Sequence, residues 1–223
     1  VTPAALPRWR SVLAVVAHPD DESFALGAVL SAFVEAGTAA SVLCLTRGEA
    51  STLGASRELT TVRALELARA AEELGVTGVE LHEHPDGGLP GVPLDVLGAE
   101  VATAAEQVDA DALLVFDPSG VTGHADHARA TEAALVAART HGLAVLAWTL
   151  PTEVATTLNE EFAAAFVGHD AADVDLVVPV DRTRQLAAVH CHATQAVPSS
   201  VLWRRLELLG DHEHLRVLAR PAS

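Results

Sequence analysis

The chain of 223 residues contains no lysine and no tyrosine. The first absence removes Schiff-base catalysis and a phosphate-loop lysine, and the second removes a tyrosine general acid. Cysteine is scarce as well. Cys44 and Cys191 lie far apart, in contexts that read as a strand and a helix, so they form no disulfide framework and read as packed thiols. Aromatic residues make up 4% of the chain, with tryptophan only at positions 9, 148 and 203, which leaves little surface for stacking a ligand. No apolar run reaches the length a bilayer needs, and no charged-then-apolar leader opens the chain. The expectation is a soluble, cytoplasmic protein with no membrane partner. A formal net charge of −16 argues against nucleic acid and against an anionic membrane surface. Neither G-x-G-x-x-G nor G-x-S-x-G is present, so a dinucleotide turn and a serine nucleophile elbow are unsupported. The tools that remain are imidazole, carboxylate and arginine, with 11 histidines in the set.

What is present alternates between strand-length apolar runs and helical patterns. Residues 11–18, 41–46, 78–84, 111–116, 143–150 and 174–180 read as strands. Helical patterns cover residues 22–37, ended by Gly37, then 56–75, with Ser56 as N-cap and Gly75 past the end. Further helices follow over 94–107, up to His141, and near 181–194. Strands apolar throughout are buried on both faces, which predicts a doubly wound, mostly parallel, Rossmann-like sheet with helices on both faces, a three-layer α/β/α sandwich. With no repeat and no linker, residues 1–223 read as one domain. Ligands of such sheets gather outside the carboxyl ends of the strands.

The distinctive polar clusters fall at those ends. "AHPDDE" follows the first strand and sets His18 and Asp21 at i, i+3, close enough to converge on one point. Carboxylates at the start of a helix favour its dipole, but capping leaves the preceding histidine unexplained. "GHADH" follows the fourth strand and sets His124 and His127 at i, i+3, with Asp126 between them. Imidazole and carboxylate together suit zinc and its divalent neighbours, and two such clusters at one sheet edge point to a shared site. His82 and His84 alternate like strand residues and could ligate metal, but read rather as rim or supporting groups. His190 diverges from His192 on a helix, and His192 reads equally as pocket edge or helix end. His212 and His214 read as solvated.

"AHPDDE" with "GHADH" about a hundred residues later resembles the LmbE-like, PIG-L superfamily of zinc-dependent de-N-acetylases. "LTRGEAS", Arg63 with Glu66, "HPDGGL" and "HATQ" are similar to further segments of that family, so the resemblance spans nearly the whole chain. It implies His18, Asp21 and His127 as metal ligands and Asp20 as general base. It implies His124 as an imidazolium supporting the oxyanion or leaving amine, oriented by Asp126, and Glu49, Arg63 and Asp86 as substrate contacts. The implied cofactor is Zn2+, with Fe2+, Co2+ or Ni2+ accepted by the same donors. The implied substrate is a small N-acylated sugar, hydrolysed by metal-activated water. A hydratase of the same superfamily and a non-catalytic binding module are the rival readings. Some relatives carry a tyrosine just before the second motif; here that place reads Val121, Thr122, Gly123. The composition neither demands nor excludes a homo-oligomer.

Overall fold

Six successive aliphatic or small residues, Ser11–Val16, form β1 and are buried along their whole length. Alternation sends Val12, Ala14 and Val16 into one apolar layer and Leu13 and Val15 into a second on the opposite face. The computed structural model describes residues 4–54 and 58–221. Along the chain, β1 leads into α1 (Asp21–Phe24), α2 (Gly27–Glu35), β2 (Ala39–Thr46), α3 (Leu59–Leu74) and β3 (Gly78–His84). There follow α4 (Leu94–Gln107), β4 (Ala112–Phe116), α5 (Gly120–Gly123), α6 (Ala125–His141), β5 (Ala144–Pro151) and α7 (Thr152–Phe162). The chain closes with β6 (Gly168–His169), β7 (Leu176–Pro179), α8 (Thr183–Cys191), α9 (Val201–Leu209) and β8 (His212–Ala219).

The strand order is β3-β2-β1-β4-β5-β8-β7, with the short β6 pairing β5. The five strands from β3 to β5 run parallel, and β8 joins β5 and β7 antiparallel. One apolar layer lies under α2, α3 and α8 and the other under α4 and α6, as the continuously apolar strands predict. Because β1 pairs β2 on one side and β4 on the other, the sheet reverses its winding between β1 and β4. A crevice opens at such a reversal, and both polar clusters leave the carboxyl ends of its two strands.

Several expectations need correction. The helix over 22–37 is two helices: Asp21 O accepts from both Ala25 N (3.2 Å) and Leu26 N (3.3 Å), a wide turn that breaks the repeat before α2. The Ser56 cap lies outside the described residues. Five elements were not expected at all, namely α5, α7, β6, α9 and β8, and β8 inserts between β5 and β7. His212 and His214 therefore belong to a strand and are half-buried rather than solvated.

Candidate active site

β1 ends at Val16, and the following turn bends so sharply that Asp20 takes φ 128°, a backbone region that L side chains rarely adopt. Two side chains hold it. Asp20 N–H donates to Glu22 Oε2 (2.9 Å), and Arg63 Nη2 donates to Asp20 Oδ2 (3.0 Å). The bend throws His18 and Asp21 to the same side, where His18 N–H donates to Asp21 Oδ2 (2.9 Å). From β4, the loop through α5 delivers His124 and His127 to the first turn of α6.

The two clusters meet. His18 Nδ1 lies 3.2 Å from His127 Nε2 and 3.5 Å from Asp21 Oδ2, and His127 Nε2 lies 3.3 Å from Asp21 Oδ1. Donors of a tetrahedral zinc site, each bonded at ~2.0–2.1 Å, stand roughly 3.3–3.4 Å apart, so these three fit such an ion on spacing as well as chemistry. The far nitrogen of His18, Nε2, faces Asp86 Oδ1 (3.0 Å) and Asp126 Oδ2 (3.4 Å). A carboxylate behind an imidazole fixes its tautomer and leaves the other nitrogen free to ligate. Burial opposes a charge on His18, but Asp126, Asp21 and Asp86 around it outweigh burial and push its pKa up to about 12. Asp21, also buried, is held well below the usual carboxylate range by His127 and His18. The pocket thus carries more negative charge than its protein cations balance, which is the electrostatics a divalent ion answers.

Asp126 differs from the expectation. Its carboxylate accepts from Gly87 N–H (2.7 Å) and Leu89 N–H (3.2 Å) and faces His18, while only its backbone N–H meets His124 Nδ1, at 3.3 Å. Accepting at Nδ1 leaves the proton of a neutral His124 on Nε2. Burial and the neighbouring His127 and His18 lower the pKa of His124, a direction that works against the imidazolium the resemblance implies. Asp20 moves the other way. Burial first, then the adjacent Asp21, raise its pKa to about 7 against the pull of Arg63 and His192, which suits a base working near neutrality.

The expected substrate contacts separate. Arg63 is buried, clamped on Asp20, Gly48 O (2.6 Å) and Pro19 O, so it fixes the base as well as lining the cavity. Asp86 lines the cavity and accepts from Ala50 N–H (2.8 Å). Glu49 is exposed, does not line the cavity, and accepts from Asp86 N–H (2.8 Å). The cavity encloses about 380 Å³ and also exposes Ser51, Gly87 and Gln195, none of which the sequence reading singled out as site residues. Gly48 has φ +66°, and an added Cβ would fall 1.9 Å from Arg63 Nη1. Gly48→Ala is therefore expected to dislodge Arg63, costing about 1–3 kcal/mol and lowering turnover together, read by thermal melting and kcat.

Beneath the cavity lies a pair that spans 170 residues: His192 Nε2 meets Glu22 Oε1 at 2.7 Å, both side chains wholly buried. Glu22 is also the residue that holds Asp20 N–H, so the helix-end reading of His192 gives way to a brace for the base. Burial works against the charged ring, but Glu22, with Asp20 and Glu66 behind it, raises the His192 pKa. A histidine raised on folding contributes stability that is full below ~6.5 and lost as pH climbs through the folded value. Wild-type stability should fall with rising pH above that point, and His192→Ala, destabilised by about 3–5 kcal/mol at pH 6, should lose that slope in denaturant titrations.

Comparison with known proteins follows the same lines. Residues 13–138 match the family model PIG-L, described as GlcNAc-PI de-N-acetylase. A 1D-myo-inositol 2-acetamido-2-deoxy-alpha-D-glucopyranoside deacetylase of Nakamurella multipartita is 30% identical over 265 residues, covering 93% of this chain and 89% of the relative. Against two other curated deacetylases of that name the chain spans about half of their length, 51%. The deacetylase of the antimicrobial A40926 pseudoaglycone superposes with a TM-score of 0.73 at 20% identity, covering 96% of this chain and 99% of that one. The 4-carboxy-2-hydroxymuconate hydratase of Pseudomonas putida superposes with a TM-score of 0.69, also at 20% identity, covering 96% and 98%. At such identities the two structures speak for the α/β fold alone.

Proposed function

The chain belongs to the PIG-L family, and from that membership together with the cavity we propose a metal-dependent hydrolase that removes an N-acetyl group from an amino sugar or a sugar-bearing metabolite. The observation that carries this reading is the trio of His18 Nδ1, His127 Nε2 and Asp21, mutually 3.2–3.5 Å apart, on a cavity that Asp20 also lines. Three protein donors leave a coordination position open, the mark of a catalytic rather than a structural centre. A divalent ion held by His18, Asp21 and His127, zinc first and iron, cobalt or nickel by the same donor chemistry, supplies the Lewis acidity that acidifies water and polarises an amide carbonyl.

The rest falls to the chain's own groups. Asp20 accepts a proton from the attacking water as the water oxygen bonds to the carbonyl carbon. His124 donates its Nε2–H to the oxygen on which charge develops, the task that a preceding tyrosine would otherwise share. The C–N bond then breaks, the proton held by Asp20 passes to the amine nitrogen, and acetate and free amine leave. Arg63 and Glu22 hold the base in place; Asp86 and Asp126 hold His18 from behind. Asp86, Ser51 and Gln195 offer the wall hydrogen-bonding groups for sugar hydroxyls.

The test is acetate release from N-acetylglucosaminyl substrates, the N-acetylglucosaminyl inositol named for the relatives among them. Release should vanish with a chelator and return with zinc. Bound metal with no acetate from a broad panel of N-acetyl sugars, or water added to an unsaturated acid instead, would overturn the proposal.

A further inference from the structure

The sheet face that carries α4 bears a second cluster, and the proposed reaction uses none of it. Strand alternation sets Glu80, His82 and His84 of β3 on one face, and Glu100 of α4 reaches onto it. Glu100 Oε2 lies 2.7 Å from His84 Nε2 and 3.2 Å from His82 Nδ1, and the three donor atoms all lie within 4.8 Å of one another. The other nitrogen of His82, Nε2, lies 2.7 Å from Glu80 Oε1.

Ordinary ion pairing accounts for one histidine beside one carboxylate. Here two imidazoles converge on a single oxygen, and one of them is oriented from behind by a second carboxylate. That is the arrangement of a ligating histidine: Glu80 accepts Nε2–H and so leaves the Nδ1 lone pair of His82 turned toward His84 and Glu100. Side-chain exposures of 20% for His82, 19% for His84 and 29% for Glu100 let an ion enter and let solvent complete its coordination. Two imidazoles with a carboxylate are borderline donors, suited to zinc, nickel or copper rather than to calcium or magnesium. The position also has a consequence. β3 runs through Pro85 into Asp86 and Gly87, whose contacts with His18 and Asp126 shape the cavity.

We propose that His82, His84 and Glu100 form a second site for a divalent cation of the zinc, nickel and copper class, with Glu80 orienting His82, so that a bound ion ties the edge strand to α4. The test uses the full chain, stripped with a chelator and reloaded with zinc alone, with metal content and calorimetric titration as readouts. Wild type should take up two equivalents. His82→Ala and Glu100→Gln should each take up one, and so should His127→Ala, which keeps the edge site. Zinc at a hundredfold excess over its Kd should raise the Tm of His127→Ala by about 5 °C and leave His127→Ala/Glu100→Gln unmoved. Failure of His127→Ala to take up zinc, or two equivalents persisting in both His82→Ala and Glu100→Gln with native circular dichroism, would overturn the proposal. Because His127→Ala isolates the edge site, failure here is distinguishable from failure of the de-N-acetylation reading.

Discussion

His127→Ala should lose the cavity metal and, with it, more than about 10³-fold in kcat/KM. Loss of a residue that merely orients a ligand costs roughly 10–100-fold in metal affinity or activity, and loss of a ligand itself costs more. The neighbouring His124, although it groups with His18 as a possible metal donor, is a poor substitute for His127. His124 stacks on it with ring centroids 4.5 Å apart, but its Nδ1 is occupied by Asp126 N–H. Folding should survive, because His127 sits at the rim of the core, edge-on to Phe116 at 4.7 Å, and its own Nδ1 faces only Gly120 O at 3.3 Å. The matching control is Asp126→Asn, which keeps the ligand set but loses the charge behind His18. It should show the weaker, 10–100-fold effect and regain activity at high zinc. Equal metal content at the cavity in wild type and His127→Ala, measured in the Glu100→Gln background, would remove His127 from the centre.

The parallel half of the fold was legible because burial on both faces leaves a signature that needs no partner to interpret. Val12 through Val16 are apolar at every position, and the helical pattern over about 94–107 falls on α4, Leu94–Gln107. The carboxyl-terminal half resisted for a physical reason. β8 reads "HEHLRVLA", with charge where a strand core expects none, since its buried Glu213 is satisfied by Trp148 Nε1 at 2.7 Å and by Arg182. Those partners lie 65 and 31 residues away, and nothing local announces them. The site divides in the same way. Convergence of "HPDDE" with "GHADH" follows from strand order, because each motif ends a strand and the two strands are neighbours. Side-chain direction does not follow from order. Proximity in sequence put Asp126 on His124, whereas the loop after β3 brings Gly87 and Leu89 to its carboxylate and turns it toward His18. Glu22 and His192 were visible only as residues of two motifs, and their pairing belongs to the packing of α8 against α1.

Asp20→Asn should keep the metal, since the carboxylate lost is not among the three donors, yet lower kcat by about 10²–10⁴-fold with little change in KM. The amide keeps the volume and an acceptor for Arg63, which also retains Gly48 O and Pro19 O, so the strained turn at φ 128° stays supported. Two pH measurements separate the loss of a base from the loss of a scaffold. A base must be deprotonated to act, so wild-type kcat rises with pH through the Asp20 titration. That value is about 7 without a cation nearby and lower with one, and the limb should be missing from the variant. Stability in chelator-treated protein should respond in the opposite sense. A carboxyl group raised from 3.8 to about 7 on folding binds more protons in the native state than in the unfolded one, so wild-type stability falls as pH rises between those values. Asparagine has no such titration. The variant should therefore gain on the wild type as pH climbs from 4 to 8 while remaining catalytically silent, a group kept at a cost to the fold because the chemistry requires it. A variant that loses activity and stability in parallel at every pH would instead mark Asp20 as a structural residue.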